Sequence, residues 1–386
     1  MNQFDVIVVG AGIVGISHAF HCCQSGLKVA LIERNDYPMD ATVRNFGQIV
    51  PSGMNLKWQQ FGRESLDIYK EIQKEYDITV RQEGTVYLAS DHEEMSLLEE
   101  LSAINQENDY PSSLLTKNEC LLKYPGLKES YVEGGLFFPD EINVDPRQTG
   151  KRIITYTRQK YDLEYIPNTL IKNLITANGS VMLTTASGDL LKASNVFLCS
   201  GNEFQLLYPE LFKESDLQMV KLQMMQTVNQ PQQRISGSIL TGWTIRRYES
   251  FQECPSYTSI KAKEDTSSYQ RKMGIHILFK QNQDGSVIIG DSHEYCSVKN
   301  EEKFNSDTNW EINQFMLEEA AKIFDLETFS LQKIWNGYYS QCTSSDIYAR
   351  TISDQIHIIT GIGGKGMTAS LGYAKKNIEH ILSIKA

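Results

Sequence analysis

The chain has 386 residues, 41% of them hydrophobic, which predicts a large core and about two domains. Lys and Arg number 37 against 48 Asp and Glu, and the resulting net charge of -11 argues against nucleic acid or an anionic membrane as the main partner. We find no apolar run of about 18 residues and no basic N-terminal region, so we expect neither a membrane span nor a signal peptide. Seven cysteines without a CxxC pair favour reduced thiols in a cytoplasmic protein over disulfides or a metal site.

Residues 4–33 carry a pattern typical of a dinucleotide-binding turn. The β-branched run 4–9 predicts a buried parallel strand, and the motif GxGxxG follows it at 10–15. The first glycine permits a tight turn, the second lets a phosphate approach the backbone, and the third lets helix and strand pack closely. A helix from about 13 to 25, closed by Gly26, would direct its N-terminal amides at a pyrophosphate.

The second predicted strand, 28–32, ends on an acid. Glu33 lies 23 residues past Gly10, about where a carboxylate holds the hydroxyl groups of a ribose. An acid at this position disfavours a 2′-phosphate, so the expected ligand is NAD-like or FAD-like. The spacing alone does not choose between these two.

The rest of the chain alternates between helical and strand patterns. Segment 41–51 is too apolar for a solvated loop and places Arg44 among small residues. Apolar spacing and turn residues then predict, in chain order, a helix at 58–76, strands at 83–89 and 134–139 flanking an acidic helix at 92–104, a helix from Asp145 to about 160, strands at 169–175, 181–185 and 195–202, a strand-rich block at 218–292 and a helix at 310–324.

A second glycine turn lies near the end of the chain. A strand at 355–359 leads into TGIGGKGMT at 360–368, and a helix follows to about Ile384. Because glycine turns stand at both ends, we expect one discontinuous domain with the segments of another inserted into it.

Together these motifs resemble the D-amino acid oxidase family of FAD-dependent oxidoreductases, which includes glycine oxidase and the sarcosine oxidases. The resemblance spans nearly the whole chain and rests on GAGIVG with Glu33, RNFGQI, EGTVYLA, FFPDEINVDPRQT, FLCSGNEF and TGIGGKGMT. It implies an α/β fold with a discontinuous Rossmann-like FAD domain of the glutathione reductase type and an α+β substrate domain whose large antiparallel sheet covers the flavin. We assign 1–82, 145–215 and 330–386 to the first domain, and 83–144 and 216–329 to the second.

Position by position, the resemblance implies which residues contact FAD. The first glycine motif would contact the pyrophosphate, Glu33 the ribose, and the last helix with Lys365 the flavin edge that gains negative charge on reduction. The implied contacts are Gly10, Gly12, Ile13, Val14, Gly15, Glu33, Arg34, Arg44, Asn45, Phe46, Gly47, Gln48, Ile171, Ser200, Gly201, Gly363, Gly364, Lys365, Gly366, Met367 and Thr368.

Three segments are similar to a branch of this family associated with phosphonate breakdown. They are VRNFGQIVPSG, VKLQMMQT and TGIGGKGMT. This similarity implies that the substrate is an aminoalkylphosphonate or an N-methylated relative.

The sequence departs from the family where amino acid oxidases carry an arginine that clamps the substrate carboxylate. Tyr339 stands at that position, and a tyrosine hydroxyl can hydrogen-bond an anion but cannot neutralise it. An anionic substrate group would then be bound elsewhere in the predicted substrate domain. The candidates are Arg271, Arg247, Lys221 and His276.

Two further departures concern the flavin. Ser340 replaces the cysteine that links flavin covalently in the sarcosine oxidases, so we expect non-covalent FAD, with a link through Cys342 as the alternative. Those oxidases activate oxygen with a lysine, and Ile288 stands at the matching position of this sequence. The electron acceptor is thus left open between oxygen and a protein or quinone.

The resemblance implies oxidation of a C–N bond in a small amine that carries an anionic group. Hydride would pass from the α-carbon to FAD, and water would hydrolyse the resulting imine. Tyr338, Tyr339 and His276 are candidate substrate-orienting groups, Lys365 is a candidate charge-stabilising group, and His293 is a weaker candidate. The alternatives are an NAD-dependent dehydrogenase and a non-catalytic flavoprotein-like subunit of a heteromeric oxidase.

Overall fold

The computed structural model describes residues 3–299 and 304–384. Its strands form a sheet of eight, a sheet of nine and a pair. In chain order the strands are β1 (Gln3–Val9), β2 (Val29–Ile32), β3 (Gln48–Ile49), β4 (Thr85–Ala89), β5 (Ser113–Thr116), β6 (Gly134–Phe138), β7 (Ile142–Asn143), β8 (Glu164–Ile166), β9 (Ile171–Ala177), β10 (Ser180–Thr185), β11 (Leu190–Leu198), β12 (Leu217–Thr227), β13 (Ser238–Thr241), β14 (Leu278–Gln281), β15 (Val287–Gly290), β16 (Glu294–Ser297), β17 (Leu331–Cys342), β18 (Tyr348–Ser353) and β19 (Ile356–Thr360).

The α-helices range from single turns to the 20-residue α2. They are α1 (Ile13–Gln24), α2 (Leu56–Glu75), α3 (His92–Glu107), α4 (Lys117–Lys123), α5 (Pro146–Tyr161), α6 (Pro209–Lys213), α7 (Gly242–Ile245), α8 (Tyr257–Lys261), α9 (Tyr269–Lys272), α10 (Trp310–Ile323) and α11 (Gly366–Leu382). Among the described residues, no helix combines the length and the apolar character that crossing a membrane would require.

The first sheet has a parallel centre. Its path runs β18-β19-β11-β1-β2-β8, and β1 pairs in parallel with β2 and with β11. Val6, Ile7 and Val8 of β1 are almost fully buried, as a strand covered on both faces requires. Helices α1, α2, α5 and α11 contribute Ile16, Leu66, Ile153 and Leu371 to the core cluster that packs on this sheet.

The second sheet is mainly antiparallel. Its path runs β16-β12-β15-β14-β13-β4-β6-β5, with β17 paired along β12, and only β13 and β4 run in parallel within it. The mixed α/β class predicted from the sequence is confirmed. β17 lies in this second sheet, and it falls within 330–386, a segment that the sequence analysis assigns to the cofactor domain.

Segment 44–50 lies between the two sheets. Gln48 and Ile49 form β3, which pairs with β7, and Phe46, Ile49 and Val50 are buried. This burial explains why the segment is too apolar for a solvated loop.

Candidate cofactor and substrate cavity

The turn after β1 is shaped by its glycines. Gly10 has φ +100°, and a Cβ there would lie 2.4 Å from the Cys199 carbonyl oxygen on the neighbouring strand. A Cβ at Gly15 would lie 1.9 Å from the Gly10 carbonyl oxygen. Gly12 is different, because a Cβ would meet only the Thr42 hydroxyl at 3.4 Å. Gly10 and Gly15 therefore serve close packing, whereas Gly12 keeps space open above the turn.

Two backbone amides at the N-terminus of α1 are held by side chains beside this space. Gly12 is the N-cap and supplies no side-chain hydrogen bond. The Ile13 amide donates to the Thr42 hydroxyl over 2.9 Å, and the Ala11 amide donates to Glu33 Oε2 over 2.9 Å. Sequence reasoning missed Thr42, because a residue 29 positions away carries no local signal.

A cavity of about 760 Å³ extends from this turn into the interface of the two sheets. All the FAD contacts implied by the resemblance except Gly15 line it, and so do the candidate substrate-orienting residues Tyr338, Tyr339 and His276. They are Gly10, Gly12, Ile13, Val14, Glu33, Arg34, Arg44, Asn45, Phe46, Gly47, Gln48, Ile171, Ser200, Gly201, His276, Tyr338, Tyr339, Gly363, Gly364, Lys365, Gly366, Met367 and Thr368. Gly15 stands behind the turn, where it packs against Gly10.

The C-terminal glycine turn forms the opposite wall. After β19, a 3-10 turn at Gly363–Lys365 leads into α11, whose first residues line the cavity. The Lys365 ammonium pairs with Glu249 at 2.7 Å and with Asp346 at 3.4 Å. The two glycine turns thus face one cavity although they lie at opposite ends of the sequence.

The cavity fits FAD in shape and in donor chemistry. One end offers a helix N-terminus above an open glycine, which suits a pyrophosphate, with the Glu33 carboxylate beside it for a ribose. The other end presents the N-terminus of α11. A Cβ at Gly364 would meet nothing within 4 Å, so space for a ring remains at that end.

Beyond this region, the second sheet places a charged cluster in the cavity wall. The carboxylate of Asp291 lies 2.8 Å from His276 Nε2 and 3.9 Å from His293 Nε2. The Arg247 guanidinium donates to the Gly274 carbonyl and to the Tyr295 hydroxyl. Arg247, Asp291, His276, His293 and Tyr339 all line the cavity. Sequence reasoning missed Asp291, which follows β15 without a recognisable motif.

Burial and charge set the ionisation of this cluster. Burial lowers the pKa of His276 more than Asp291 raises it, and burial with Arg247 lowers the pKa of His293 to about 3. Burial alone would raise the pKa of Asp291, but the two histidines and Arg247 outweigh it and lower that pKa. The cluster therefore contains one cation, Arg247, one anion, Asp291, and two neutral imidazoles. Its ligand atoms on His276, Asp291 and His293 lie within 4.8 Å of one another, yet the charge of Arg247 opposes a metal ion there.

The structure separates the four candidates for an anion-binding residue. Arg271 pairs with Glu264 at 3.2 Å. The Lys221 ammonium donates to Asn305 and to the Asp307 carbonyl. Neither residue lines the cavity, whereas Arg247 and His276 do.

The positions that depart from the family also lie at this wall. The Ser340 hydroxyl donates to the Gly201 carbonyl over 3.0 Å and accepts from the Gly361 amide, so it joins the two sheets. Cys342 lines the cavity, and burial raises the pKa of its thiol. Ile288 is buried, and Lys280 stands directly across from it on the neighbouring strand.

A family model described as "FAD dependent oxidoreductase" (DAO) matches residues 5–378. A glycerol 3-phosphate dehydrogenase of Caloramator mitchellensis is 26% identical over 200 residues, which are 43% of this chain and 41% of that protein. The chain thus spans less than half the length of the curated relatives it matches.

Solved structures share the fold at low identity. Glycine oxidase from Geobacillus kaustophilus superposes with a TM-score of 0.79 at 16% identity, covering 100% of this chain and 96% of that one. An L-α-glycerophosphate oxidase from Mycoplasma pneumoniae with FAD bound gives 0.77 at 17% identity, covering 100% and 96%. Since the family model covers nearly the whole chain, this protein belongs to the DAO family of FAD-dependent oxidoreductases.

Proposed function

We propose that this oxidoreductase oxidises the C–N bond of a small amine that also carries an acidic group, such as an aminoalkylphosphonate or its N-methylated form. The observation that supports this is the presence of both Arg247 and Asp291 in the lining of one cavity. A buried cation and a buried anion together suit a zwitterion, whose two charges they can neutralise. An anion without an amine would be repelled by Asp291.

In this proposal, Arg247 binds the acidic group and Asp291 orients the amine. Two guanidinium N–H groups are already used by Gly274 and Tyr295, which fixes the side chain and leaves its other donors for the substrate. Tyr339, whose ring lies 6.4 Å from that of His293, adds a hydroxyl for the same acidic group. Tyr338 has a smaller part, since its hydroxyl donates to the Asn305 carbonyl.

Bound FAD supplies the two-electron acceptor that takes hydride from the carbon next to nitrogen. The amine must be neutral at that moment. With a pKa of about 3, His293 is too weak a base to take its proton and instead offers Nε2 as an acceptor for an amine N–H. Because His293 Nδ1 lies 3.2 Å from the Gly274 carbonyl, that nitrogen carries the hydrogen and Nε2 has the lone pair. Both ring nitrogens of His276 already have partners, since Nε2 contacts Asp291 and Nδ1 contacts the Thr244 hydroxyl.

The cofactor roles rest on the cavity lining. We propose that the residues named above hold FAD non-covalently, because a half-buried Cys342 with a raised pKa is a poor nucleophile. The amides at the start of α11 would stabilise negative charge on the reduced cofactor. Lys365 contributes less to this stabilisation than a free ammonium would, because two carboxylates already pair with it.

We also propose that the two sheets correspond to two domains, close to the segments assigned from the sequence. The division would place β17 with the substrate domain and β18, β19 and α11 with the FAD domain. This arrangement puts the cavity between the domains, where ligand sites commonly lie.

Anaerobic reduction of the bound flavin tests the proposed reaction. The panel contains glycine, sarcosine, D-alanine, 2-aminoethylphosphonate and its N-methyl form, with glycerol 3-phosphate as the substrate that lacks nitrogen. We expect at least one zwitterionic amine to bleach the flavin at 450 nm, the usual absorbance maximum, about 100-fold faster than glycerol 3-phosphate. Bleaching by glycerol 3-phosphate alone would contradict the proposal.

Oxidation of a phosphate-bearing alcohol is the second candidate. It is favoured by the curated relatives, which carry the name glycerol 3-phosphate dehydrogenase. The panel above separates the two candidates, because only the first requires nitrogen in the substrate.

A further inference from the structure

A second cavity, of about 500 Å³, lies beside the first and is not used by the proposed reaction. Asn45 lines both cavities, and Val43 lines the second, so segment 43–45 forms part of the wall between them. The rest of its lining comes from β7, β12, β14, β15 and β17, from the start of α5, and from the loops before β4, after β7, before β13 and between β14 and β15.

The floor of this cavity is a row of side chains across four strands. Lys333 on β17 is paired with Gln226 on β12, Gln226 with Ile288 on β15, and Ile288 with Lys280 on β14. Directly paired residues project from the same face of a sheet, and all four of these residues line the cavity. A lysine therefore stands at each end of the row.

Two polar groups of this row have a hydrogen-bonding atom without a partner among the described residues. The buried Lys280 ammonium donates to the carbonyls of Phe46 and Val144, which leaves one of its three hydrogens. The buried Gln226 amide donates from Nε2 to Ser286 over 2.7 Å, but its Oε1 has no hydrogen-bond partner in the described part of the chain. Buried polar groups normally have hydrogen-bond partners. A ligand with a negatively charged oxygen for Lys280 and a hydroxyl for Gln226 Oε1 would supply both.

The rim adds two arginines. Arg147 lies over the Trp335 ring at 5.1 Å, and Arg234 is exposed. In the described ranges neither has a carboxylate within 4.0 Å, and the same holds for Lys280 and Lys333. Four cations without an acidic partner are unusual in a chain of net charge -11.

The lining contains five cations, including Arg81 with its partner Asp77, against three acids, so its charge balance is positive, and the three carboxylates also hold local backbone. Glu83 accepts from the Gly237 amide, Asp145 caps α5 through the Arg147 amide, and Asp284 accepts from the Ser286 amide. The carboxylates thus stabilise turns and a helix end, and the side chains of the four cations remain available.

We propose that this second cavity is a binding site for a small, multiply charged anion of the phosphate or carboxylate class. Lys280 and Gln226 contact the ligand at the floor, and Lys333, Arg234 and Arg147 neutralise it at the rim. The site does not depend on which substrate the first cavity takes. Burial lowers the pKa of Lys280 to about 8. An anion that contacts its ammonium raises this pKa, so the protein takes up protons when the anion binds.

Calorimetric titration of the FAD-loaded protein tests the site, with pyrophosphate and citrate as probes of the two ligand types and phosphate and malonate as their smaller analogues. The test variant is Lys333→Gln/Arg234→Gln, which removes two exposed charges from the rim. The matched control is Lys172→Gln/Arg350→Gln, which removes two exposed charges from the first sheet. Arg247→Gln reports on binding in the first cavity.

We expect saturable binding of at least one probe, weakened about tenfold or more in the rim variant and less than about twofold in the control and in Arg247→Gln. Titrations near pH 8 in buffers of different ionisation enthalpy should show proton uptake, and Lys280→Met should abolish it. Tighter binding of pyrophosphate would assign the ligand to the phosphate class, and tighter binding of citrate would assign it to the carboxylate class. Absence of saturable binding below about 10 mM, or equal weakening in rim variant and control, would overturn the proposal.

Discussion

At the scale of single residues, the substrate end of the cavity depends on charges that the sequence could not place. Arg247 was one of four candidate anion-binding residues, and nothing local distinguished it from Arg271. What separates them is the tertiary structure, which brings Arg247 to the cavity and Arg271 to Glu264. Asp291 was not predicted at all, because one acid after a strand has no characteristic spacing.

Replacing Arg247 tests the anion-binding role directly. Arg247→Gln keeps a hydrogen-bonding side chain but removes the charge, so we expect the Kd of a zwitterionic amine to rise on the order of 100-fold. FAD content should be unchanged, and Arg271→Gln should bind the amine as the wild type does. Rapid-reaction flavin reduction measures this Kd, and an unchanged value in Arg247→Gln would remove the residue from the site.

Lys280 provides a pH-dependent stability test. Burial lowers its pKa from 10.5 to about 8, so the unfolded chain binds more protons than the folded one between these values. The free energy of unfolding should therefore gain a contribution that rises from pH 8 to pH 10.5, on the order of 3 kcal/mol in total. We expect urea unfolding of Lys280→Met to lack this rise. If the free energy of unfolding depended on pH in the same way for the two proteins, burial would not lower the pKa of Lys280.

At the scale of secondary structure, local patterns predicted most elements and failed where partners are distant. The βαβ start, the Asp145 N-cap with Pro146 behind it and the helix at 310–324 were all found within two residues of their predicted limits. These signals are local, since periodicity and capping are decided within a few turns. The sheet to which β17 belongs was not predictable from its own residues, because pairing with β12 is a long-range contact.

The different environments of two glycines give a prediction for the first turn. Gly12→Ala meets only Thr42 at 3.4 Å, so the apoprotein should keep its melting temperature within about 2 °C while its affinity for FAD falls about tenfold or more. Gly10→Ala combines φ +100° with a 2.4 Å clash, and it should destabilise the apoprotein itself. Thermal unfolding and FAD titration of both variants measure this contrast, and the reverse pattern would mean that Gly12 does not border the cofactor.

At the scale of the whole molecule, both ends of the chain build one cavity. The first glycine turn follows β1, the last one precedes α11, and α11 packs on α1 and α2 through Leu371 and its neighbours. The sequence predicted this convergence because the family resemblance relates both motifs to one cofactor. It could not predict the second cavity, whose lining joins residues of five strands with α5.

The contact between α2 and α11 should couple the C-terminus to FAD binding. A Cβ at Gly372 would lie 2.3 Å from the Phe61 carbonyl oxygen, so Gly372→Ala must separate the two helices. We expect the melting temperature to fall by about 1–4 °C, since overpacking costs ~1–3 kcal/mol in a chain of this length, and the affinity for FAD to fall with it. Unchanged FAD affinity in a destabilised variant would show that α11 does not hold the cofactor.

The most direct measurement is a crystal structure of the protein with FAD and an aminoalkyl acid whose nitrogen-bearing carbon has no hydrogen, so that it binds without reacting. The account predicts that the pyrophosphate lies over Gly12, that the flavin ring lies against 363–368, and that the ligand places its acidic group on Arg247 and its nitrogen next to Asp291. A flavin ring away from 363–368, or a ligand bound without contact to Arg247 and Asp291, would contradict it.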